Sequence, residues 1–246
     1  MAVSSANLVS YTAANMPEDD SSTAGGAINS GIRATFTDPA SATTIQFVST
    51  SASDTQNVVL TGRNAAGAII SETIALDGTN PKTGTNTYER VLKCILASAA
   101  VGTVTVSGTS ESATVTDIPP LESGFRRPFY DATASAVSTV NLYEKVFVMN
   151  NNTSSTLNNA TLTEVSNGLY NKINFSLENA KQATTSVANR TIAPGSTGPF
   201  GTGPSGMVSN ELTARDYQGV WMNLTMAAAE PAQNSYYEVQ ISGTTA

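Results

Sequence analysis

The chain has 246 residues, of which 13% are charged and 7% are aromatic, and its 12 Lys and Arg residues stand against 19 Asp and Glu residues for a formal charge of -7. Such an acidic chain repels phosphate backbones, so we expect no nucleic-acid partner. The chain contains no His, which excludes imidazole bases, Ser-His-Asp triads and His-ligated metals.

Residues 1–30 are expected to form an extended N-terminal arm. They contain no basic residue, and "PEDD" is followed by "SSTAGG", a composition that cannot build a core alone. The N-terminus has no basic region and no continuous apolar stretch, so we expect neither a signal peptide nor an anchor. Nowhere do about 18 apolar residues run together, and we therefore expect no membrane partner.

Residues 31–118 are expected to form the first of two β-domains, because a chain of this length suits one large β-domain or two of ordinary size. The predicted strands are "IRATF", "TIQFVST", the two halves of a hairpin within residues 54–78, and "GTVTVSG", while "YERVLKCILA" is either a strand or a short helix. Turn signals every ~8–12 residues are typical of a sandwich or barrel. The lone Cys94 has apolar neighbours, and we expect it in the core.

Residues 119–130 are predicted to be a linker, because the paired prolines of "DIPPLESGFRRPF" cannot enter a central strand. Residues 131–246 are predicted to form a C-terminal β-sandwich with the strands "VNLYEKVFVMN", "KINFSLEN", "GVWMNLTM" and "YYEVQIS". Residues 194–207, "PGSTGPFGTGPSGM", are predicted to be a long projecting loop. The expected fold is all-β: two β-sandwich domains, Ig-like or jelly-roll-like, preceded by the N-terminal arm.

Two segments invite comparison with known binding sites. The acidic run Glu18, Asp19 and Asp20 lacks the ligand spacing of a calcium loop, and we interpret it as a solvated stretch. The Gly-rich loop at 194–207 lacks the Gly-Lys-Ser or Gly-Lys-Thr ending that cradles phosphates. We therefore predict no catalytic residue, no cofactor and no metal.

Aromatic and arginine side chains are the first candidates for a contact surface. "GFRRPF" brings together Phe125, Arg126, Arg127 and Phe129, which could stack on bases or clamp a phosphate. In so acidic a chain we favour an interdomain or intersubunit contact, and we add Phe200 from the Gly/Pro-rich loop to the predicted interface.

A second aromatic group lies near the C-terminus. Trp221, Tyr236 and Tyr237 could form a platform that stacks on sugars, or they could pack in a core or an interface. The sequence leaves both interpretations open.

The hairpin "DTQNVVLTGRNAAGAIISETIALDG" places Glu72 among apolar residues, where it could be a catalytic acid. A loop at residues 63–66 would pair Asn57 with Glu72, and no second carboxylate occupies the neighbouring positions to complete an acid-base pair. We therefore predict that Arg63, Asn64 and Glu72 are structural or interface residues. An inward charge near a sheet edge also prevents unwanted strand addition.

Several motifs occur together in residues 54–108: the Asp-Thr-Gln start, Gly-Arg-Asn-x-x-Gly, Ser-Glu-Thr-Ile, Tyr-Glu-Arg-Val and Gly-Thr-Val-Thr-Val. The C-terminal half adds "YEKVFVMNNNT" and "LTARDYQGVWMNLTM". These segments resemble virion structural proteins of tailed bacteriophages. The resemblance implies a non-enzymatic β-protein that works in many copies on a phage particle, as capsid decoration or cement, as a neck or collar ring, or as a tail component.

We expect the chain to assemble on the head or neck of the virion through strand-edge, arm and loop contacts, after synthesis in the cytoplasm of the bacterial host. The resemblance implies that its partners are copies of itself and other virion proteins, such as the major capsid, portal or adaptor, and tail proteins. The alternative is a tail or fibre component whose β-sandwich binds carbohydrate or another receptor.

Overall fold

The computed structural model describes residues 2–110, 114–129, 132–168, 172–231 and 237–245. These residues form β-strands joined by turns, with two short 3-10 helices at Ser5–Asn7 and Val208–Asn210. The all-β class predicted from the sequence is confirmed. None of the helices in this part of the chain is long and apolar enough to cross a membrane.

The chain divides into two compact units, which we call unit 1 (Met1–Asn29 with Pro128–Ala246) and unit 2 (Ser30–Arg127). Two strands come first, and the second runs across the boundary: β1 (Leu8–Asn15) and β2 (Ala24–Arg33). Unit 2 continues with β3 (Ile45–Ser49), β4 (Asn57–Arg63), β5 (Ile69–Ala75), β6 (Lys82–Thr83), β7 (Arg90–Leu96), β8 (Val104–Gly108), β9 (Thr114–Ile118) and β10 (Gly124–Arg126). The chain then returns to unit 1 with β11 (Val140–Asn150), β12 (Leu157–Ser166), β13 (Ile173–Leu177), β14 (Ser186–Val187), β15 (Ser205–Gly206), β16 (Glu211–Leu212), β17 (Tyr217–Met226) and β18 (Glu238–Thr245).

Unit 2 contains two sheets that share one core. One sheet has the order β10-β7-β4-β5, with the end of β2 parallel to β10, and the other has the order β6-β3-β8-β9. Apolar and polar residues alternate along β3 and β8, so that Ile45, Phe47, Val104 and Val106 are buried on one face. The core that they form also contains buried residues of the first sheet, among them Cys94. Burial of Cys94 confirms the sequence prediction, and "YERVLKCILA" contributes a strand, β7, instead of a helix.

Unit 1 is organised around β11, which has a neighbour on each edge. The order is β13-β17-β11-β1, with the first half of β2 beside β1 and β14 pairing with the start of β2. β11 pairs antiparallel with β17 from Val140 to Met149 and with β1 from Val146 to Asn150. A second sheet of this unit is built on β12, which pairs with the short strands β15 and β16 and with β18.

The first thirty residues differ from the extended arm that the sequence predicts. In β1, Val9, Tyr11 and Ala13 are buried, and the strand pairs with β11 in the sheet of unit 1. The glycines of "SSTAGG" begin β2, and a Cβ at Gly25 would lie 2.7 Å from the Trp221 ring. The composition of "SSTAGG" resembles that of a linker, but a small residue is required at Gly25 because the backbone packs closely against the buried Trp221 ring.

Two other segments also differ from their predictions. Residues 119–130 contain a strand, β10, between β7 and the end of β2, whereas a linker was expected. The Gly/Pro-rich loop at 194–207 does not project freely, because Gly201 exchanges two backbone hydrogen bonds with Phe175 and residues 205–206 form β15. Irregular backbone must still satisfy its N–H and C=O groups, and composition does not reveal where it does so.

Candidate functional site

The hairpin of β4 and β5 has a longer loop than the sequence predicts. The Asn64 carboxamide oxygen accepts hydrogen bonds from the amides of Ala66, at 3.1 Å, and Ala68, at 3.0 Å. The loop therefore spans residues 64–68, and Gly67 within it has a φ of 78°. The predicted pairing of Asn57 with Glu72 is wrong. Leu60 lies opposite Glu72 instead, and this three-residue shift turns Glu72 toward the core side of the sheet.

Glu72 lies on β5, the edge strand of its sheet, and its carboxylate anchors a neighbouring loop. Its Oε2 accepts hydrogen bonds from the Thr85 amide, at 2.8 Å, and the Thr85 hydroxyl, at 3.1 Å. The Asn86 side chain donates to the Ser71 carbonyl, at 3.4 Å. The loop at 84–86 is thus held against the edge strand by an inward-facing acid, a contact within unit 2.

The predicted contact surface of Phe125 and Arg127 is instead part of the interior of unit 2. Phe125 is 0% exposed, and its ring centroid lies 4.4 Å from that of Phe36. The Arg127 guanidinium lies 4.6 Å above the Phe36 ring and 2.8 Å from Asp38 Oδ1. Phe125 therefore packs in the core of unit 2 and not at the predicted interdomain or intersubunit contact, because β10 is a strand of a sheet that borders this core.

The remaining predicted interface residues have partners within their own units. Arg126 pairs with Lys93 across β10 and β7 in unit 2. The backbone amide of Phe129 donates to Glu144 Oε2, at 3.0 Å, within unit 1. Phe200 is half-buried and packs edge-to-face against Tyr143, with 5.5 Å between the ring centroids.

A buried ion pair that the sequence analysis missed lies in unit 1. Lys145, on β11, is 0% exposed, and its Nζ lies 2.9 Å from Oε1 of Glu178, whose side chain is 1% exposed. The ammonium group also donates to the carbonyl oxygens of Ala183, at 2.9 Å, Gly26, at 3.3 Å, and Thr185, at 3.4 Å. A buried ammonium is tolerated because so many acceptors surround it.

The Glu178 carboxylate has a matching set of donors. Trp221 Nε1 donates to Oε1 at 2.7 Å, the Thr185 hydroxyl donates to the same oxygen, and the Ser196 hydroxyl donates to Oε2 at 2.9 Å. Burial alone would raise the pKa of Glu178, but the hydrogen bonds from Thr185, Lys145 and Trp221 outweigh it and lower that pKa. The cluster therefore holds the chain between residues 178 and 196 against the sheet as a charged, satisfied network.

Trp221 is buried within the same cluster. Its ring is 0% exposed, and a Cβ at Gly25 would overlap it. A buried indole cannot stack on a sugar, so the interpretation of Trp221 as part of a carbohydrate platform is wrong. Tyr237 is half-buried, and Tyr236 lies outside the described residues.

A second charged cluster lies on the opposite face of β11, where Glu144 is buried. Arg190 Nε lies 2.7 Å from Asp20 Oδ1, and Arg190 Nη1 lies 3.4 Å from Glu144 Oε1. Arg190 also donates to the Pro17 carbonyl, at 3.4 Å. The acidic "PEDD" segment is therefore fixed to unit 1 through Asp20. The signal for both clusters is the charged pair "EK" in the middle of the apolar strand "VNLYEKVFVMN".

Asp54, the first residue of the hairpin motif, is also buried. Its carboxylate accepts hydrogen bonds from the Ser49 hydroxyl, at 2.5 Å, the Val101 amide, at 2.8 Å, and the Gly102 amide, at 2.9 Å. Burial opposes ionisation, but the bonds from Ser49, Val101 and Gly102 together lower the pKa of Asp54. Its role is to join the start of the hairpin to the turn before β8.

Among the described strands of more than two residues, β18 is the most exposed. It pairs only with β12 among the described strands, from Ser166 opposite Glu238 to Leu157 opposite Thr245. Seven of its eight residues are exposed, and the eighth, Ile241, is half-buried. A strand with one paired edge and two exposed faces contributes little to its own core, which makes it the candidate for a contact with another chain.

The described residues contain no group of three or more Cys, Asp and Glu side chains arranged to hold a metal ion. Comparison of the chain with protein-family models, curated proteins and solved structures gave no match.

Proposed function

We propose that this chain is a non-enzymatic structural subunit of a tailed-phage virion, which assembles in many copies on the head or neck as decoration, cement or collar. The observation that carries the proposal is the exposed edge strand β18, whose seven exposed residues offer backbone and side chains to another subunit. The resemblance of residues 54–108 and of the two C-terminal segments to virion structural proteins gives the class of particle.

The buried charged clusters support a scaffold role. Lys145 with Glu178 and Arg190 with Glu144 use their charges to fasten loops onto the sheet of unit 1, and Asp54 does the same in unit 2. Buried polar networks whose hydrogen bonds are all satisfied make a protein rigid, which suits a structural subunit. We take each unit as a β-sandwich, since the core of unit 2 contains residues from both of its sheets.

The proposed partners are copies of the same chain and the virion proteins that form the underlying surface, such as the major capsid, portal or adaptor, and tail proteins. The contacts that we assign are strand edges. Phe125 is not among them, because it is enclosed in unit 2.

The experiment is quantitative mass spectrometry of purified particles of the phage that encodes the chain. We expect the chain in a fixed ratio to the major capsid protein, in at least several copies per particle, and retained after a salt wash that removes adhering host proteins. Absence from washed particles would overturn the proposed function.

A further inference from the structure

We propose that β18 pairs edge to edge and antiparallel with β18 of a second copy, so that a two-fold axis joins the two β12 sheets into one continuous sheet. The inference rests on the proposed function, because it names the contact through which the subunit assembles.

The first argument is the open edge of β18. One edge of the strand is paired with β12, and the other has no partner strand among the described residues. The N–H and C=O groups along such an edge are satisfied by water alone or by an added strand, and adding a strand gives a ladder of backbone hydrogen bonds.

The second argument is a comparison with another edge strand, β5. That edge carries Glu72 facing inward, and the loop at 84–86 is fastened beside it through Thr85. β18 carries no Lys, Arg or Pro, and its one charged residue, Glu238, is the first of the strand. Charges, prolines and covering loops are the usual means of preventing edge pairing. Residues 239–245 of β18 contain no charge or proline, and no loop of the described residues covers them.

The third argument is that β18 is compatible with a second copy of itself in one orientation. In an antiparallel arrangement of two β18 strands, the N-terminal Glu238 of one copy lies near the C-terminal end of the other, where Thr244 and Thr245 are neutral. A parallel arrangement would instead place the two Glu238 carboxylates side by side. Like charges on adjacent strands are destabilising, so the antiparallel two-fold arrangement is the compatible one.

The test uses opposite charges at one exposed position of the full-length chain. Gln240→Lys and Gln240→Glu each place two like charges about 10 Å apart across the two-fold axis, and each is expected to weaken self-association about two- to threefold at low ionic strength. An equimolar mixture of the two variants is expected to recover the wild-type association constant, because the mixed pair carries opposite charges. Sedimentation equilibrium of the wild type, each variant and the mixture measures these constants.

The matched control is an exposed threonine on the edge strand β5. Thr73→Lys and Thr73→Glu, on β5, are expected to leave the association constant unchanged. Thermal unfolding by circular dichroism is expected to match the wild type for all four variants, because Gln240 and Thr73 are both exposed.

Two results would overturn the inference. One is a mixture of the Gln240 variants that associates no better than either variant alone, and the other is dissociation caused by the Thr73 variants but not by the Gln240 variants, which would move the contact to β5. The proposed function fails separately: if the mixture recovers association but the chain is absent from washed particles, the β18 contact stands and the virion role does not.

Discussion

Lys145 and Glu178 form an ion pair that is closed to solvent, with 2.9 Å between Nζ and Oε1. The two residues are 33 positions apart in the sequence, and the pair joins the central strand β11 to the segment after β13. Lys145 also donates to Gly26, Ala183 and Thr185, so the pair is where three stretches of the chain meet.

Removing one partner of this pair is expected to cost much more than removing both. Lys145→Met leaves the Glu178 carboxylate buried without its counter-charge, and we expect a loss of about 3–5 kcal/mol in the free energy of unfolding. Glu178→Gln conversely leaves the Lys145 ammonium buried without its counter-charge. Urea unfolding of the wild type, both single variants and the double variant Lys145→Met with Glu178→Gln measures the coupling.

The double variant is expected to be more stable than either single variant, because it leaves no buried charge without a counter-charge. Additive effects would show that the pair contributes through packing alone. A matched control is Lys172→Met, since Lys172 forms a more exposed pair with Glu230, and it is expected to change stability by no more than about 1 kcal/mol.

The sequence predicts those strands whose apolar residues alternate on one face. β3, β8 and β13 fall within "TIQFVST", "GTVTVSG" and "KINFSLEN", and the all-β class follows from them. β1 and most of β2 were assigned to an arm because residues 17–30 are acidic, small and polar. The reason for that composition, the close approach of Gly25 to Trp221, is a contact across nearly two hundred residues that composition does not contain.

The candidate site was less predictable than the fold, because its contacts also join residues that are not neighbours in the sequence. A register error of three residues arose because the Asn64 side chain closes a longer loop than turn residues alone indicate. The charges of Glu144 and Lys145 were visible in the sequence, but their partners Arg190 and Glu178 are not determined by spacing. β18 is exposed on both faces because other segments do not pack over it. The alternation of residues within a strand does not indicate whether another segment covers that strand.

Asp54 is expected to make the protein sensitive to acid. Its folded pKa is lowered, so the stability that it contributes is present above the pKa of the unfolded chain, about 3.9, and is lost as the pH falls below that value. Asp54→Asn removes this dependence, and its amide group faces a backbone N–H in either orientation, at a cost of about 1–3 kcal/mol at neutral pH. Urea unfolding between pH 7 and pH 3 measures both effects.

The expected result is that the stability difference between the wild type and Asp54→Asn shrinks as the pH approaches 3. Glu178 also has a lowered pKa and contributes to the acid sensitivity of both proteins, so the comparison uses their difference. A difference that stays constant from pH 7 to pH 3 would contradict the role of an ionised Asp54.

Gly67 is expected to be required by its backbone conformation and by nothing else. Its φ of 78° lies in the left-handed region, and a Cβ built there meets no atom within 4 Å. Gly67→Ala should therefore destabilise the protein by about 1 kcal/mol through backbone strain. Gly195→Ala is the control, because its Cβ also meets no atom and its φ is not in that region. Equal unfolding free energies for the two variants would contradict the assignment of the loop to residues 64–68.

Glu72 is expected to protect the edge of β5 by holding the loop at 84–86. Glu72→Ala removes the acceptor of the Thr85 amide, and the loss of a hydrogen bond worth about 1 kcal/mol should speed hydrogen exchange of that amide about fivefold. With the loop released, the edge opens for strand addition, so the variant should also associate more strongly than the wild type as its concentration rises.

Exchange mass spectrometry and sedimentation measure the two effects separately. Asp19→Ala, which removes an exposed carboxylate that accepts the Ser21 and Ser22 amides in the turn before β2, is the control and should change neither. Faster exchange without stronger association would mean that the loop is anchored by Glu72 but that the edge of β5 is protected by its own twist and side chains.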